Sequence, residues 1–327
     1  MSESQRVKHL CVVNPKSFPH KAGLDAFVKD CTQKMAGRDL TVHISRFPRD
    51  AIGVIRTYAA HCEPDALIRV YAAGGDGILF DCLNGVAELE HAELASMPYG
   101  GRNDFIRAFG EGKQGLFRDI ALLADAPSLP TDVMRSARNY ALNFCAVGLE
   151  SSVILQTRRL NRIFEKPQAV FPFLSPLIRR MASVSCFFQK PVLRQRYDVS
   201  IDGEDFSGGY AAINIANGPC CGGNKNAAVH ADPGDGLLDA LFMKAGGAAD
   251  ITRMASAYLS GQYRKFPKKM FYRRGRKFDI HSDTPMAVNL DGEVFLDTRL
   301  TLEIIPAAVR IVAPAGVTYE RRGEPRE

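Results

Sequence analysis

The chain has 327 residues, of which 46% are hydrophobic and 24% are charged. This is the composition of a globular protein, and it excludes a disordered or fibrous chain. The formal net charge of +6 favours contact with phosphates or anionic surfaces but is too small for a dedicated nucleic-acid-binding protein. The length predicts about two domains, with cores large enough to need neither disulfides nor a structural metal.

The eight cysteines include no C-x-x-C pair, which predicts reduced thiols in a cytoplasmic protein. The longest apolar stretch lies near residues 169–178 and is interrupted by Pro172 and Pro176, so it is too short to span a membrane. We therefore expect any membrane contact to be peripheral.

Apolar residues in the first 110 positions alternate between short runs and helical spacing, which is the pattern of a parallel sheet covered by helices. Strands are predicted there at 9–13, 40–44 and 66–72. After about residue 130 the pattern changes to strands separated by turn residues, with helical insertions near 151–188 and 248–262. These later strands are predicted at 140–147, 192–201, 210–215, 237–243, 278–281, 287–290 and 300–305. The sequence therefore predicts an α/β fold with an N-terminal parallel-sheet domain and a mostly β C-terminal domain.

Two loops of glycine and polar residues follow predicted strands of the N-terminal domain, and a third follows a short run that ends at Met97-Pro98. In an open α/β sheet, ligands bind beyond the carboxyl ends of the strands, and glycines let backbone N–H groups approach a phosphate. One such loop is as well explained by a tight turn, but three on successive strand ends indicate a single anion-binding rim. The loops comprise Asn14, Pro15, Lys16 and Ser17; Gly74, Gly75, Asp76 and Gly77; and Gly100, Gly101, Arg102, Asn103 and Asp104.

These loops, together with Asn84-Gly85 and the Asn103-Asp104-Phe105 segment, resemble the nucleotide-binding signatures of the diacylglycerol kinase catalytic domain family. Bacterial lipid kinases and sphingosine kinases share these signatures. The resemblance continues in the same order through residues 143–148, 217–218, 222–223, 235–239 and 291–293, so it spans most of the chain. NAD kinases and phosphofructokinases also carry a Gly-Gly-Asp-Gly loop, but the third loop and the late Asp-Gly-Glu favour the lipid kinases.

The resemblance implies an ATP-binding domain over residues 1–128 and a β-sandwich, lipid-binding domain over 129–305, with the chemistry in the cleft between them. It also implies that the end of the chain, residues 306–327, packs back on the first domain. ATP and Mg²⁺ are the implied cofactors, with the phosphates cradled by the first two loops and the third loop close to the nucleotide. The implied activity is transfer of the ATP γ-phosphate to a hydroxyl of diacylglycerol or a related lipid.

Several positions depart from the family pattern. Phe18 occupies the place of a glycine in the first loop, and Ile78 stands where a threonine usually follows the second. In the third loop, Gly101 and Arg102 replace the usual Thr-Gly or Thr-Ala pair, which removes a hydroxyl and adds a cation. These changes leave open a second reading, in which the chain is a catalytically weakened relative that binds a lipid or nucleotide as a regulator.

Phosphoryl transfer needs a carboxylate to accept the proton of the attacking hydroxyl, and Asp291-Gly292-Glu293 offers two. If this segment is extended, both carboxylates lie on one face about 7 Å apart, and either is a candidate general base. The competing interpretation is a solvent-facing Asp-Gly turn. The resemblance adds Asp76 as a third catalytic candidate, for which a helix N-cap is the alternative role.

Residues 232–237 combine two carboxylates with tight-turn residues, and oxygen ligands of this kind suit a hard cation. The resemblance to bacterial lipid kinases implies a structural magnesium held by Asp232, Asp235 and the carbonyl of Leu237. Without the resemblance, the segment is interpreted as an ordinary turn.

Residues 264–277 hold eight basic side chains interleaved with aromatic ones. A second basic cluster, formed by Arg158, Arg159, Arg162, Arg179 and Arg180, flanks the apolar stretch 170–178. Basic side chains beside apolar anchors suit an anionic membrane surface, so we expect a lipid substrate, peripheral membrane contact and no nucleic-acid partner. A solvated strand face packed over core aromatics is the competing explanation, and RNA binding is a third.

Overall fold

The computed structural model describes residues 7–163, 193–220, 228 and 230–320. The strands are β1 Val7–Val13, β2 Leu40–Ile44, β3 Leu67–Gly74, β4 Ala92–Pro98, β5 Ser128–Ser136, β6 Tyr140–Ala141, β7 Phe144–Gly148, β8 Arg196–Ile201, β9 Glu204–Asp205, β10 Gly208–Ala216, β11 Leu238–Lys244, β12 Met270–Gly275, β13 Lys277–Leu290 and β14 Glu293–Val312. The α-helices are α1 Lys21–Lys34, α2 Asp50–Ala60, α3 Asp76–Val86, α4 Ile120–Ala124, α5 Leu149–Ile163 and α6 Ala248–Leu259. No helix within the described ranges is long and apolar enough to cross a membrane.

The N-terminal half is a parallel sheet in the order β4-β3-β1-β2. The strands are in register at their carboxyl ends, where Val13 lies beside Ala73 and Gly74 lies beside Pro98. β1, β3 and β4 are mostly apolar and are buried along nearly their whole length, so both faces of the sheet are covered. The three glycine-containing loops therefore leave the sheet at one common edge.

The C-terminal half is antiparallel, in the order β12-β11-β10-β7-β13-β14. Its two hydrophobic clusters lie on opposite faces of these strands, since alternate residues of β10 and β11 belong to different clusters. The predicted fold class, an α/β N-terminal domain and a mostly β C-terminal domain, is confirmed.

Two long strands join the halves. β14 pairs antiparallel with β13, and further along Arg310 and Ile311 pair in parallel with β4 of the first sheet. β5 pairs antiparallel with β14 both in the part that follows the pairing with β13 and in the part beside β4. The proposed boundaries at residues 128 and 305 stay a prediction, and of the expected return segment 306–327 the last seven residues lie outside the described ranges.

Several strand predictions need correction. β5, β9 and β12 were not predicted, and the strand expected at 140–147 is two strands, β6 and β7, because Leu142 and Asn143 turn their amides toward a side chain. The strands expected at 278–281 and 287–290 are one strand, β13, with a register shift between His281 and Met286. The strand expected at 300–305 is a short part of β14.

Candidate active site

The three loops at the carboxyl edge of the first sheet touch one another. The backbone N–H of Gly100 donates to the carbonyl of Gly74 at 2.9 Å, which ties the third loop to the second. A Cβ added at Gly74 would lie 3.0 Å from Asn14 Cβ and 3.0 Å from Ser17 Oγ, so the first loop packs on the second as well. The predicted rim is therefore a single contiguous surface.

The glycines of this rim differ in the space around them. A Cβ at Gly100 would lie 2.4 Å from Gly75 Cα and 2.7 Å from its nitrogen, so only glycine lets these two loops meet. At Gly77 and Gly101, in contrast, no atom lies within 4 Å of an added Cβ, and both residues are exposed. Gly77 stands in the first turn of α3, where backbone N–H groups have no partner within the helix. The open side of the rim therefore combines free space with a helix N-terminus, which fits a phosphate.

The first loop is shaped by its own asparagine. Asn14 Oδ1 accepts the backbone N–H of Lys16 at 3.1 Å, and Pro15 opens the short 3-10 turn Pro15–Ser17. Lys16 is exposed. Phe18, which replaces the family's glycine, packs its ring 4.9 Å from that of Phe27 and 5.4 Å from that of Tyr99. The aromatic ring therefore joins the hydrophobic core.

The other two departures also have structural consequences. Ile78 is buried, and its Cγ2 lies 2.7 Å from the position of a Gly74 Cβ, so it packs beneath the loop. Arg102 is exposed in the third loop, where its charge lowers the pKa of Asp76 against the larger opposing effect of burial. A cation thus stands at the rim where the family has a small residue.

Asp76 holds the second and third loops together. Its Oδ1 accepts the backbone N–H of Asp104 at 2.8 Å, and burial raises the pKa of its carboxyl. The N-cap of α3 is Gly75, so Asp76 is not the cap of its own helix. Asp104 is the N-cap of the 3-10 turn Phe105–Phe109 but makes no side-chain capping bond. The N-cap explanation therefore does not account for the Asp76 carboxylate.

Asp291 and Gly292 form a tight turn, and the expectation of an extended segment is wrong. Leu290 pairs directly with Glu293, and both turn residues have positive φ, 47° for Asp291 and 96° for Gly292. Asp-Gly is a preferred sequence for two-residue hairpin turns with this geometry, which match the twist of the strands. The local structure is thus the competing Asp-Gly turn, but its aspartate faces the protein interior.

The Asp291 carboxylate accepts hydrogen bonds from three consecutive backbone amides between β6 and β7. Leu142 donates to Oδ2 at 2.6 Å, Phe144 donates to Oδ1 at 2.7 Å, and Asn143 lies between them at 3.2 and 3.1 Å from the two oxygens. Burial nevertheless raises the pKa of this carboxyl to about 7, and the charge of Asp76 adds to the increase. The structure therefore brings Asp291 within electrostatic reach of the second loop.

Glu293 lies on the outer side of the turn. Its side chain is 47% exposed, and Arg158 Nη2 lies 3.8 Å from Oε1 while also donating to the carbonyl of Gly292. The charge of Glu293 raises the pKa of Asp81 on α3, although burial is the larger cause there. Asp291 and Glu293 therefore do not share a face, but both act on carboxylates of α3.

Helix α3 connects the two halves at this point. Five of its hydrophobic residues pack in the N-terminal core, while Phe80 packs in a C-terminal cluster. The Asn84 side chain donates to the carbonyl of Tyr140 at 3.0 Å and accepts its N–H at 2.9 Å. The sequence analysis did not assign these contacts or those of the amides at 142–144. The Asn84-Gly85 motif was a signal that could have indicated the contact of Asn84. The sequence gives no comparable signal for backbone amides that bind a side chain.

The turn at 232–237 is held by protein groups. Asp232 Oδ1 accepts the N–H of Gly234 at 3.0 Å, Asp235 Oδ1 accepts that of Leu237 at 3.0 Å, and Asp235 Oδ2 pairs with Arg274. The described ranges contain no group of three or more His, Cys, Asp or Glu side chains arranged for a metal. The magnesium site at Asp232, Asp235 and Leu237 stays a prediction.

The basic segment 264–277 forms the 3-10 turn Tyr263–Lys265 and the terminal strand β12. Its aromatic residues pack inward, with Phe266 and Tyr272 against one C-terminal cluster and Phe271 against the other. Arg264, Lys265, Lys268, Lys269 and Arg273 stay exposed. In the second basic cluster, Arg158, Arg159 and Arg162 lie on α5. Arg179, Arg180 and the stretch 170–178 lie outside the described ranges. The same holds for residues 222–223 of the family resemblance.

Comparison with known proteins assigns the class. A family model described as the diacylglycerol kinase catalytic domain matches residues 8–136, and one described as the YegS C-terminal NAD kinase beta sandwich-like domain matches residues 189–313. Both belong to kinase families. The chain is a member of the diacylglycerol kinase catalytic domain family, a family of lipid kinases, as the resemblance of its loops implied.

Curated relatives cover nearly the same span. A protein of Alcanivorax borkumensis named "Probable lipid kinase YegS-like" is 26% identical over 287 residues, which are 86% of this chain and 89% of the relative. A diacylglycerol kinase of Bacillus subtilis is 24% identical over 293 residues, 86% of this chain and 88% of that one. The crystal structure of a diacylglycerol kinase from Bacillus anthracis has a TM-score of 0.69 at 20% identity, covers 95% of this chain and 98% of its own, and shows the same fold.

Proposed function

We propose that the protein is an ATP- and magnesium-dependent lipid kinase that phosphorylates a hydroxyl of diacylglycerol or a related lipid in the cleft between its two halves. The observation that carries the proposal is the Asp291 carboxylate, which sits on the C-terminal half and interacts electrostatically with Asp76 of the second loop. A phosphate-binding rim and a carboxylate with a pKa near 7 on facing elements are the parts that phosphoryl transfer requires.

The rim residues fit a nucleotide phosphate chain. Bound there with magnesium, ATP would supply the transferable phosphoryl group, with the metal neutralising its charge. Gly77 and Gly101 leave open space, while Lys16 and Arg102 place exposed cations beside the first and third loops. Asp76 holds the third loop in position through the N–H of Asp104. These residues orient the phosphates by backbone N–H groups and positive charge.

Asp291 is the proposed general base. A carboxylate has about four lone-pair positions, and three backbone donors leave acceptor capacity for one further hydrogen bond. The amides fix the orientation of the group, while burial raises its pKa to about 7, close to the value at which a base is most effective. Glu293, exposed and beside Arg158, then serves to position the turn.

We also propose that the protein reaches its substrate at an anionic membrane surface. Because the aromatic residues of 264–277 pack inward and its cations point outward, the contact would be electrostatic, without insertion of aromatic rings. A cytoplasmic protein bound peripherally in this way is consistent with the described ranges, which hold no candidate membrane-spanning helix.

A second candidate function is lipid or nucleotide binding without turnover. The observation that favours it is the occupation of both Asp291 oxygens by backbone amides, together with the loss of loop hydroxyls at residues 78 and 101. Transfer of radiolabelled phosphate from ATP to a panel of lipids in mixed micelles separates the two. Phosphorylation of any lipid by the wild type and not by Asp291→Asn supports the kinase, whereas nucleotide binding with no transfer to any lipid supports the regulator.

A further inference from the structure

A second cavity lies in the C-terminal half, away from the phosphate-binding rim. Its interior has a volume of about 10 Å³, room for one group the size of a water molecule or an ammonium, and it opens to solvent above the face of β10, β11 and β12. Asn214, Asp239 and Tyr272 contribute polar groups to it, and Tyr263 and His230 form part of its aromatic wall. Asp239 ends the segment 235–239, to which the sequence analysis assigned no role for this residue, and the proposed kinase mechanism uses none of these residues.

Strand register places the three polar residues together. Asn214 on β10 pairs with Leu241 on β11, and Leu241 pairs with Tyr272 on β12. Asp239 is two residues from Leu241 and therefore points to the same face of the sheet. Asn214 and Tyr272 are thus the diagonal neighbours of Asp239 on either side, a separation that side chains of this length bridge.

These groups are buried without hydrogen-bond partners. Asp239 is 3% exposed and Asn214 is 5% exposed, yet both carboxylate oxygens, Asn214 Oδ1 and the Tyr272 hydroxyl make no hydrogen bond in the part of the chain that the structure describes. Buried polar atoms are normally paired, because leaving one unpaired costs about 1–3 kcal/mol. A set of acceptors facing one cavity indicates a ligand that brings hydrogen-bond donors.

The charge around the cavity favours a cation. Arg274 Nε lies 3.5 Å from Asp239 Oδ1, but the same guanidinium also pairs with Asp235. Asp232 adds a third carboxylate whose field reaches Asp239. Two described guanidinium groups therefore stand near the cavity, Arg274 beside Asp239 and Arg264 at 5.9 Å from the centroid of the Tyr263 ring, against three carboxylates.

The aromatic wall favours an organic cation. The Tyr263 and Tyr272 rings are stacked with centroids 6.2 Å apart, and the His230 ring lies 5.6 Å from Tyr272 nearly at right angles. Ring faces of this kind attract ammonium groups, and the attraction is strongest when the cation is removed from water.

We propose that this cavity binds the primary ammonium group of a small organic amine. An –NH₃⁺ group carries three N–H donors and no acceptor, which matches the carboxylate, amide oxygen and phenol oxygen that line this cavity. A quaternary ammonium has the same charge but no N–H donor, so it would leave the acceptors unpaired. The proposal is independent of the kinase assignment, although Phe144 borders the cavity and its N–H donates to Asp291.

Calorimetric titration of the full chain, without nucleotide or lipid, tests the proposal. Ethanolamine is expected to bind, with ethylene glycol and choline at least tenfold weaker. Asp239→Asn, which removes the charge at nearly constant shape, is expected to weaken ethanolamine binding at least tenfold. Asp283→Asn, an exposed aspartate in the same half, is the matched control and should leave it unchanged. Vesicles with and without phosphatidylethanolamine distinguish a lipid head group from a free amine as the source.

Three results would overturn the assignment. The first is no amine binding up to the solubility limit, which would leave the cavity to ordered water. The second is equal binding of ethylene glycol, or of ethanolamine to Asp239→Asn. The third is binding of Na⁺, K⁺, Mg²⁺ or Ca²⁺ that depends on Asp239 and that ethanolamine does not displace, which would make this an inorganic cation site. If Asp239→Asn does not fold, Tyr272→Phe decides, since it removes one acceptor and should weaken binding several-fold while keeping the ring.

Discussion

A carboxylate that accepts three backbone amides usually has a low pKa, because each donor stabilises the anion. At Asp291 the desolvation caused by burial outweighs those donors, and the negative charge of Asp76 acts in the same direction. The amides therefore fix where the carboxylate lies, while burial and Asp76 determine how readily it holds a proton. This combination suits a base that must be ionised near neutral pH and keep one orientation.

Replacing Asp291 with asparagine is expected to lower lipid phosphorylation about 10²–10⁴-fold, the usual contribution of a general base. Glu293→Gln, two residues away, serves as the matched variant and should lose far less, because that side chain is exposed. Initial rates with saturating ATP and lipid measure both, and circular dichroism verifies that each variant is folded. Comparable losses in the two variants would remove Asp291 from the role of base.

The raised pKa of Asp291 predicts the pH dependence of the reaction. A base with a pKa of about 7 is protonated and inactive below that pH and ionised above it, so kcat/KM should rise through a limb centred near pH 7. The profile is measured from pH 5 to 9 at constant ionic strength. Glu293→Gln should keep the limb, and Asp291→Asn should lose it from whatever activity remains. A limb that persists unchanged in Asp291→Asn would assign it to another group.

At the scale of elements, the site depends on loops that approach more closely than side chains permit. Three strand ends lie in register, and the loops that follow them meet because Gly75 and Gly100 face each other across a gap too small for a methyl group. Helix α3 then fixes the other side, because its first turn belongs to the rim and Asn84 in its last turn bonds to Tyr140 of the C-terminal half.

Two alanine substitutions in the third loop should therefore have opposite outcomes. Gly100→Ala places a methyl 2.4 Å from Gly75 Cα and should separate the loops, lowering nucleotide affinity at least tenfold. Gly101→Ala meets nothing within 4 Å and should change affinity less than twofold. Equilibrium binding of a fluorescent ATP analogue compares them directly. Equal affinity of the two variants would mean that contact between the second and third loops does not matter for binding.

The tie between Asn84 and Tyr140 should contribute to stability. Asn84→Ala leaves a part-buried N–H and carbonyl of Tyr140 without this partner, at a cost of about 1 kcal/mol each in the free energy of unfolding. Asn84→Asp keeps the acceptor for the Tyr140 N–H and should recover part of the loss at a pH where it is neutral. Urea unfolding gives both values, and a loss below about 0.5 kcal/mol for Asn84→Ala would contradict the structural role of this contact.

Over the whole molecule, the sequence was most informative where periodicity or glycine spacing reflects local structure. Three of the four parallel strands and the three loops were predicted because strand, glycine and helix follow one another within a few residues. The Asp-Gly turn was predicted only as the competing interpretation, and the inward direction of Asp291 was not, since its partners are backbone amides 147 to 149 positions earlier. β5 was missed because its pairing with β14 joins residues far apart in the chain. The buried acceptors around Asp239 depend on the register of three strands, which no single segment reveals.

Because the cations of residues 264–277 point outward, we expect this segment to contribute to binding of the whole protein to an anionic membrane. Each Lys or Arg near an anionic surface contributes about 1 kcal/mol, so Lys265→Glu with Lys268→Glu should lower partitioning onto phosphatidylglycerol vesicles at least tenfold. Lys21→Glu with Lys29→Glu makes the same charge change on exposed positions of α1 and is the control. Sedimentation with vesicles measures the bound fraction, and raising the salt concentration should weaken wild-type binding, because a contact made by exposed charges is screened. If the two double variants lose binding equally, the net charge of the protein and not this segment is responsible. If neither loses binding, the contact is not electrostatic and the apolar stretch 170–178 becomes the candidate to test.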